Sequence, residues 1–327
     1  MRYLVTGGTG FVGAFVVREL VAAGHRVTAL DLQPDGELLA QVLGTALRDV
    51  EVLSGDVTDA PELLRIMRAA QPERVVHLAS VLSRASDANP LRAVKVNCEG
   101  TVNVFDTALA VGASKIVWAS SIAVFGWIAS GGERIANDAP HAPAGVYGAT
   151  KSLSERIGAH YRTQRGLDNV GLRFTAVYGH GKVATLARGS GAMESVELLE
   201  KPALGRPGMI ANGNDVVDWL YVEDAAHAVR LASEAPPCAS PALTICGDLR
   251  PMREAVAYVR RLLPEARLLV ETDQPGRVQN FDASAAETEI GYRRRFSMEE
   301  GFRRTIDTVR AAHRRPPLPA TRSVGEG

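Results

Sequence analysis

Cysteine is scarce: Cys98, Cys238 and Cys246 are the only three in 327 residues, far apart and without a C-x-x-C pair. That excludes a disulfide framework and a thiolate zinc site, and leaves three buried thiols as the expectation. Charge of one sign is lacking too, because 37 Lys and Arg balance 37 Asp and Glu. The only like-charge clusters that stand out are the short ones at Arg293 to Arg295 and Arg314 to Arg315, so no nucleic-acid or anionic-membrane partner is expected. No apolar run reaches the roughly 20 residues of a membrane span, since Lys115, Ser120 and Ser121 interrupt the best candidate. The first apolar run, Tyr3-Leu4-Val5, follows Met1 so closely that no signal peptide is expected, and the default is a cytoplasmic enzyme. No metal site is expected.

Glycine, by contrast, is placed with purpose. Thr6-Gly7-Gly8-Thr9-Gly10-Phe11-Val12-Gly13 lies behind that apolar run and ahead of a helical pattern from Ala14 to Ala23. Strand, glycine turn and helix in that order make a dinucleotide-binding loop. Gly7 takes backbone angles that a side chain resists, Gly10 lets the main chain approach a pyrophosphate, and Gly13 lets the helix pack close. The helix start at Phe11 and Val12 then points free N–H groups at the phosphates. Taken alone, the loop also fits a tight turn capping a helix.

Arg26 to Asp31 reads as a second strand ending on a carboxylate suited to the adenosine ribose hydroxyls. Leu32 and Gln33 offer no cation for a 2′-phosphate, which favours NAD over NADP, although an ordinary turn residue is the alternative for Asp31. The next unit is a strand Val50 to Leu53, an exit loop Gly55-Asp56-Val57-Thr58-Asp59 and a helix Ala60 to Ala70. Asp56 suits either the adenine amino group or an Asx turn, with Val57 beside it. Arg74 to Ser80 is a strand opening through Leu78, Ala79 and Ser80 into a small-residue loop that lets backbone lie beside the cofactor. His77 within it reads as a packed core histidine rather than a base. A helix from Leu91 to Ala110 carries Asn97, and a strand from Lys115 delivers Ser120 and Ser121 at its C-terminal end, where open parallel sheets collect ligands.

The alternation implies an α/β fold, a Rossmann-type doubly wound parallel sheet with a smaller C-terminal α/β lobe. The sheet domain is expected over 1–178 plus about 215–235, the strand Val216 to Tyr221 included. The substrate lobe is expected over 179–214 and 236–313, a loop over the site between Gly126 and Pro143, and a flexible tail over 314–327.

Tyr147 and Lys151 are four positions apart on a helix that starts near Val146, so both project from one face. A nearby ammonium favours the phenolate and is expected to lower the tyrosine pKa toward acid/base work. Ser121 supplies a hydroxyl for the reacting oxygen.

In these segments the chain resembles the extended short-chain dehydrogenase/reductases of the NAD-dependent epimerase/dehydratase family, from Met1 to about Arg310. The likeness rests on the glycine loop, Asp31, Gly55 to Asp59, Asn97-Cys98-Glu99-Gly100-Thr101, Ser121 to Gly126, Tyr147-Gly148-Ala149-Thr150-Lys151, Leu172 to Gly179, Asp218 to Asp224, and Phe281-Asp282-Ala283-Ser284 with Ile290-Gly291-Tyr292. It implies that Tyr147 is the acid/base, that Lys151 lowers its pKa and binds the nicotinamide ribose, that Ser121 positions the reacting oxygen, and that Asn97 and Phe174 line the cofactor. It also implies a homodimer built from the helix after Asn97 and the helix of Tyr147.

The departures narrow the reaction. Ile122 and Ala123 stand where dehydratases of the family carry an acidic pair and decarboxylating members a glutamate. Thr175 and Val217 replace an asparagine and an arginine that grip a nucleotide diphosphate, with Arg188, Arg206 and Arg277 as possible substitutes. The expected activity is hydride transfer between NAD and a secondary alcohol or ketone of sugar or polyol type, a small-molecule substrate. The alternatives are a nucleotide-sugar epimerase using transient oxidation and a non-enzymatic NAD-sensing module.

Overall fold

The computed structural model describes residues 1–126, 133–187, 189–190 and 193–319. The expected loop over the site is therefore described from Glu133 onward, while Arg188 and the last residues of the expected tail lie outside the described residues.

Seven parallel strands form the main sheet: β1 (Arg2–Thr6), β2 (Arg26–Asp31), β3 (Val50–Ser54), β4 (Arg74–His77), β5 (Lys115–Ser121), β6 (Asn169–Phe174) and, across the intervening strands β7 (Ala176–Tyr178), β8 (Gly208–Ile210) and β9 (Val216–Tyr221), β10 (Ala242–Ile245). Their order is β10-β6-β5-β4-β1-β2-β3. β1 is an interior strand, with Val5 opposite Ala29 on one side and Val76 on the other. The order reverses between β1 and β4, and a crevice opens at the carboxyl ends there. Side chains alternate across β1: Tyr3 and Val5 join one core, Leu4 the other.

The principal helices are α1 (Phe11–Ala22), α2 (Ala60–Ala70), α3 (Gly100–Val111), α4 (Val146–Arg165), α5 (Val222–Glu234) and α6 (Met298–Ala312). α1 and α5 cover the Val5 face, and α2 and α3 cover the Leu4 face with Leu63, Ile66 and Phe105. Burying both faces explains why the strands read as near-continuous apolar runs.

The strand expected to return to the sheet, β9, does not. It pairs with β7 and antiparallel with β11 (Asp248–Pro251) in a separate three-stranded sheet, while β10, expected in the smaller lobe, becomes the seventh strand beside β6. Thr175 holds the two strands where they diverge. Its hydroxyl lies 2.9 Å from an Asp218 carboxylate oxygen and 3.3 Å from the Ile245 carbonyl, tying both strands to the point where the chain leaves β6. A two-stranded sheet of β8 and β12 (Leu268–Val270) completes the smaller lobe.

The expected tail is also not free over its described part. Arg303 and Arg310 donate to the Pro319 and Pro316 carbonyls, the Leu318 amide donates to Asp307, and Leu318 is only 6% exposed. Leu318→Ala is accordingly expected to lower the unfolding free energy by about 2 kcal/mol, measured by urea denaturation.

Candidate active site

At the crevice the glycine loop shows why it needs its glycines. Gly7 has φ +68°, and a Cβ there would stand 2.8 Å from the Ala79 nitrogen. A Cβ on Gly13 would stand 2.1 Å from the Gly7 carbonyl oxygen, so only glycine lets α1 start against the end of β1. Gly10 caps α1 with its backbone alone. Together with Phe11 and Val12, these residues form one wall of a cleft of about 1170 Å³.

Asp31 ends β2 on the same cleft, its Oδ2 receiving the Thr9 hydroxyl at 2.8 Å and amide at 3.3 Å. Asp56 forms the Asx turn, accepting from the Thr58 amide at 2.8 Å, and the helix cap falls to Asp59. Val57, Leu78, Ala79, Ser80 and Phe174 line the cleft. Asn97 does not. It is 1% exposed, sits on a π-turn at Lys95–Glu99, and exchanges hydrogen bonds with both backbone groups of Val81 while donating to Thr150. Its amide is used up in holding the 80–81 loop, so it stands behind the cleft wall. His77 is a packed core residue, held between the Thr6 and Thr101 hydroxyls, and burial pushes it down to about 3.

Ser121, Tyr147 and Lys151 come together at the floor. Gly148 fixes the spacing, because a Cβ there would stand 2.4 Å from the Ala123 carbonyl oxygen, pressing the first turn of α4 onto the turn after Ser121. The Ser121 hydroxyl accepts from the Ala123 amide at 3.1 Å and lies near enough to the Tyr147 phenol to favour its ionised form. Lys151 donates to the Ala119 carbonyl at 2.8 Å, with its ammonium 5.6 Å from the Tyr147 ring centre.

The expected lowering of the tyrosine is not what this geometry produces. Burial pushes Tyr147 up to about 12, against a smaller opposing pull from Ser121, and burial lowers Lys151 to about 8, with Cys98 and Glu155 opposing. Desolvation outweighs the ammonium, which is directed at a carbonyl rather than at the phenol oxygen.

Two supports come from partners distant in the chain. α4 lacks a side-chain cap of its own at Gly145, and the carboxylate of Asp87, 59 positions earlier, accepts from the Val146 amide at 3.0 Å instead. One turn beyond Lys151, Glu155 receives the Ser120 hydroxyl and a forked Arg173 guanidinium, all three buried. The Lys151–Glu155 spacing was the available hint for the second.

In the substrate half of the cleft Val217 is apolar, Arg206 lies exposed away from the cleft, and Arg277 forks onto Asp215 at 2.6 and 3.3 Å.

With this geometry, residues 3–242 match the model of the NAD dependent epimerase/dehydratase family. The chain belongs to that family. A UDP-glucose 4-epimerase of Mycolicibacterium smegmatis is 33% identical over 70% of this chain and 72% of its own. A dTDP-glucose 4,6-dehydratase of Streptomyces antibioticus is 28% identical over the whole of both. The crystal structure of the Thermus thermophilus UDP-glucose 4-epimerase in complex with NAD superposes with a TM-score of 0.79 at 27% identity, covering 95% of this chain and 100% of that one.

This member of the epimerase/dehydratase family is therefore an NAD-dependent enzyme of the short-chain dehydrogenase/reductase type, which sets aside the sensing module. Its residues fit the cofactor: the Gly7–Gly13 cradle is space a Cβ would fill, and a carboxylate without a neighbouring cation at Leu32 or Gln33 ends β2. Gly148→Ala is expected to cut turnover about 100-fold by displacing Tyr147 from Ser121, read from steady-state rates on protein whose circular dichroism is unchanged.

Proposed function

We propose that this enzyme oxidises and reduces a secondary alcohol/ketone pair on a sugar- or polyol-like molecule that carries no nucleotide diphosphate. The observation that carries the reading is the substrate wall. Thr175 is bound into the fold, Val217 is apolar, and Arg277 is already engaged by Asp215, so at these three positions, among the described residues, no free bidentate cation awaits a diphosphate.

Bound NAD supplies the two-electron acceptor or donor. The protein supplies the proton path and the orientation. Tyr147, neutral at physiological pH, gives its phenolic proton to the developing alkoxide in reduction; in oxidation the phenol must first release that proton, and the resulting phenolate takes the alcohol proton. Ser121 holds the reacting oxygen beside that phenol, and the Lys151 ammonium stabilises the phenolate as it forms.

Incubating the protein with NAD and a panel of polyols and free sugars should give steady NADH formation, abolished by Tyr147→Phe. Turnover of UDP- or dTDP-sugars alone, with no net NADH, would support the second reading, a nucleotide-sugar epimerase. That reading is favoured by the 29% and 33% identity to UDP-glucose 4-epimerases.

The protonation states predict a pH profile. Reduction needs Tyr147 protonated and Lys151 charged, and Lys151 is the first to fail, above about 8. kcat/KM for NADH reports the free enzyme and should be flat below that pH and fall roughly tenfold per unit above it. Lys151→Arg keeps its charge and should move the fall to higher pH.

A homodimer is proposed on α4 of the two expected helices; the exposed apolar side chains beside it lie on Pro90–Val94, ahead of Asn97 rather than on the helix after it, with Leu91, Val94 and Leu153 72%, 47% and 49% exposed. Leu153→Glu should leave a monomer by light scattering, and a monomeric wild-type protein would overturn the assignment.

A further inference from the structure

The glycine loop offers a pyrophosphate N–H groups and a helix dipole but no cation. No basic side chain occurs from Gly7 to Gly13, and the first one in α1, Arg18, is paired with Glu223. A dinucleotide brings two negative charges to this place, and the half charge of a helix N-terminus neutralises only part of them.

Arg92 and Lys95 line the same cleft, but the cation placed against the start of α1 comes from the other lobe. The chain at Gly181 crosses back over the nucleotide-binding half, so closely that a Cβ on Gly181 would stand 2.5 Å from a Leu38 methyl. Ala184 and Thr185 share a crevice with Thr9, Gly10 and Phe11. Between these contacts Lys182 enters the cleft, its ammonium 5.3 Å from the centre of the Phe11 ring at the start of α1.

That ammonium forms no ion pair among the described residues. Glu194 and Glu200 act on it from a distance, and Glu200 has one oxygen engaged by the Val183 amide at 2.9 Å. Burial is the larger effect and lowers the lysine to about 8. A half-buried ammonium on which carboxylates act only from a distance gains from an anion bound in contact with it.

We propose that Lys182 is the cationic half of the pyrophosphate site: carried by the smaller lobe, it neutralises the cofactor's phosphates from above while the start of α1 receives them from below. Lysine suits this role as a point charge that follows a phosphate without demanding fork geometry. The smaller lobe then takes part in holding the cofactor as well as the substrate, and the Gly181 and Thr185 contacts set how far the ammonium reaches.

The test is binding, and it rests on NAD as the cofactor without needing the substrate. Wild type, Lys182→Met and Lys182→Arg are titrated calorimetrically with NAD and, in parallel, with adenosine, which keeps the adenine and ribose but has no phosphate. Lys182→Met should raise the Kd for NAD about tenfold, and Lys182→Arg should stay within about threefold of wild type. Adenosine should bind all three proteins alike.

An unchanged Kd for NAD in Lys182→Met would overturn the assignment. So would adenosine weakening in step with NAD, because the loss would then come from a deformed pocket and not from a missing charge. A wild-type protein that binds no NAD would overturn the cofactor reading itself. If NADH formation from polyols fails while NAD binding behaves as described, the substrate reading alone falls.

Discussion

A single ammonium kept almost out of water organises the reactive half of this enzyme. Lys151 is 5% exposed, and its direct hydrogen bond is to the Ala119 carbonyl, on the strand that ends two residues later at Ser121. Burying a charge on one carbonyl is costly, and the surroundings are arranged around that cost. Glu155 stands one turn further along α4, and Thr150, its neighbour in sequence, takes a hydrogen bond from Asn97. The same burial that weakens the lysine's hold on its proton keeps the Tyr147 phenol neutral. Both groups therefore sit in the protonation state that suits proton donation.

Glu155 is itself tied down more firmly than a helix-face carboxylate would be. Arg173 forks onto it from β6 and also donates to the Asn137 carbonyl, and the Asn137 side chain is bonded to the edge strand β10. The catalytic helix, two strands and the 133–143 segment are thus joined through one buried ion pair. Such a pair is weak evidence for stability, since an apolar replacement of both partners is often neutral. Removing one partner is a different matter and costs about 3–5 kcal/mol. A pair of this kind fixes an arrangement more than it adds stability, and what it fixes here is the register between Ser120 on β5 and the face of α4 that presents Lys151.

The elements legible in the sequence were those whose cause is local. A strand, three glycines and a helix are next to one another in the chain, so the Gly7–Gly13 turn could be read directly, as could Tyr147 and Lys151 from helical spacing. What escaped was set by distant partners. β9 and β10 have similar apolar patterns, so the pattern does not say which of them joins the main sheet, and the contacts that hold their divergence, from the Thr175 hydroxyl to Asp218 and the Ile245 carbonyl, are long-range. Asn97 was identified as a site residue, but its burial behind Val81 depends on loop packing that no spacing encodes. The cap of α4 comes from Asp87, and the absence of any capping side chain at Gly145 was its only trace. The Pro316–Pro319 segment looked like a tail because prolines and arginines cannot form a core, yet its carbonyls serve as acceptors for arginines of α6.

The balance of charge in the cleft bears on what the two halves bind. Lys151 and Lys182 have no ion-pair partner among the described residues, whereas Arg277 is forked onto Asp215. The unpaired ammonium groups both face the cleft shared with the glycine loop. A cation left without a carboxylate is held ready for a charge or dipole that arrives with a ligand, while a guanidinium already forked onto a carboxylate gives up a strong interaction before it can take another. Arg92 and Lys95 also line that cleft without an ion pair among the described residues, so Lys182 is distinguished by its place against the Phe11 ring at the start of α1. The proposed absence of a diphosphate from the substrate rests on the other wall, where Val217 is apolar and Arg277 is neutralised, and the proposed cofactor role of Lys182 would give the lobe that carries this wall a part in holding the dinucleotide.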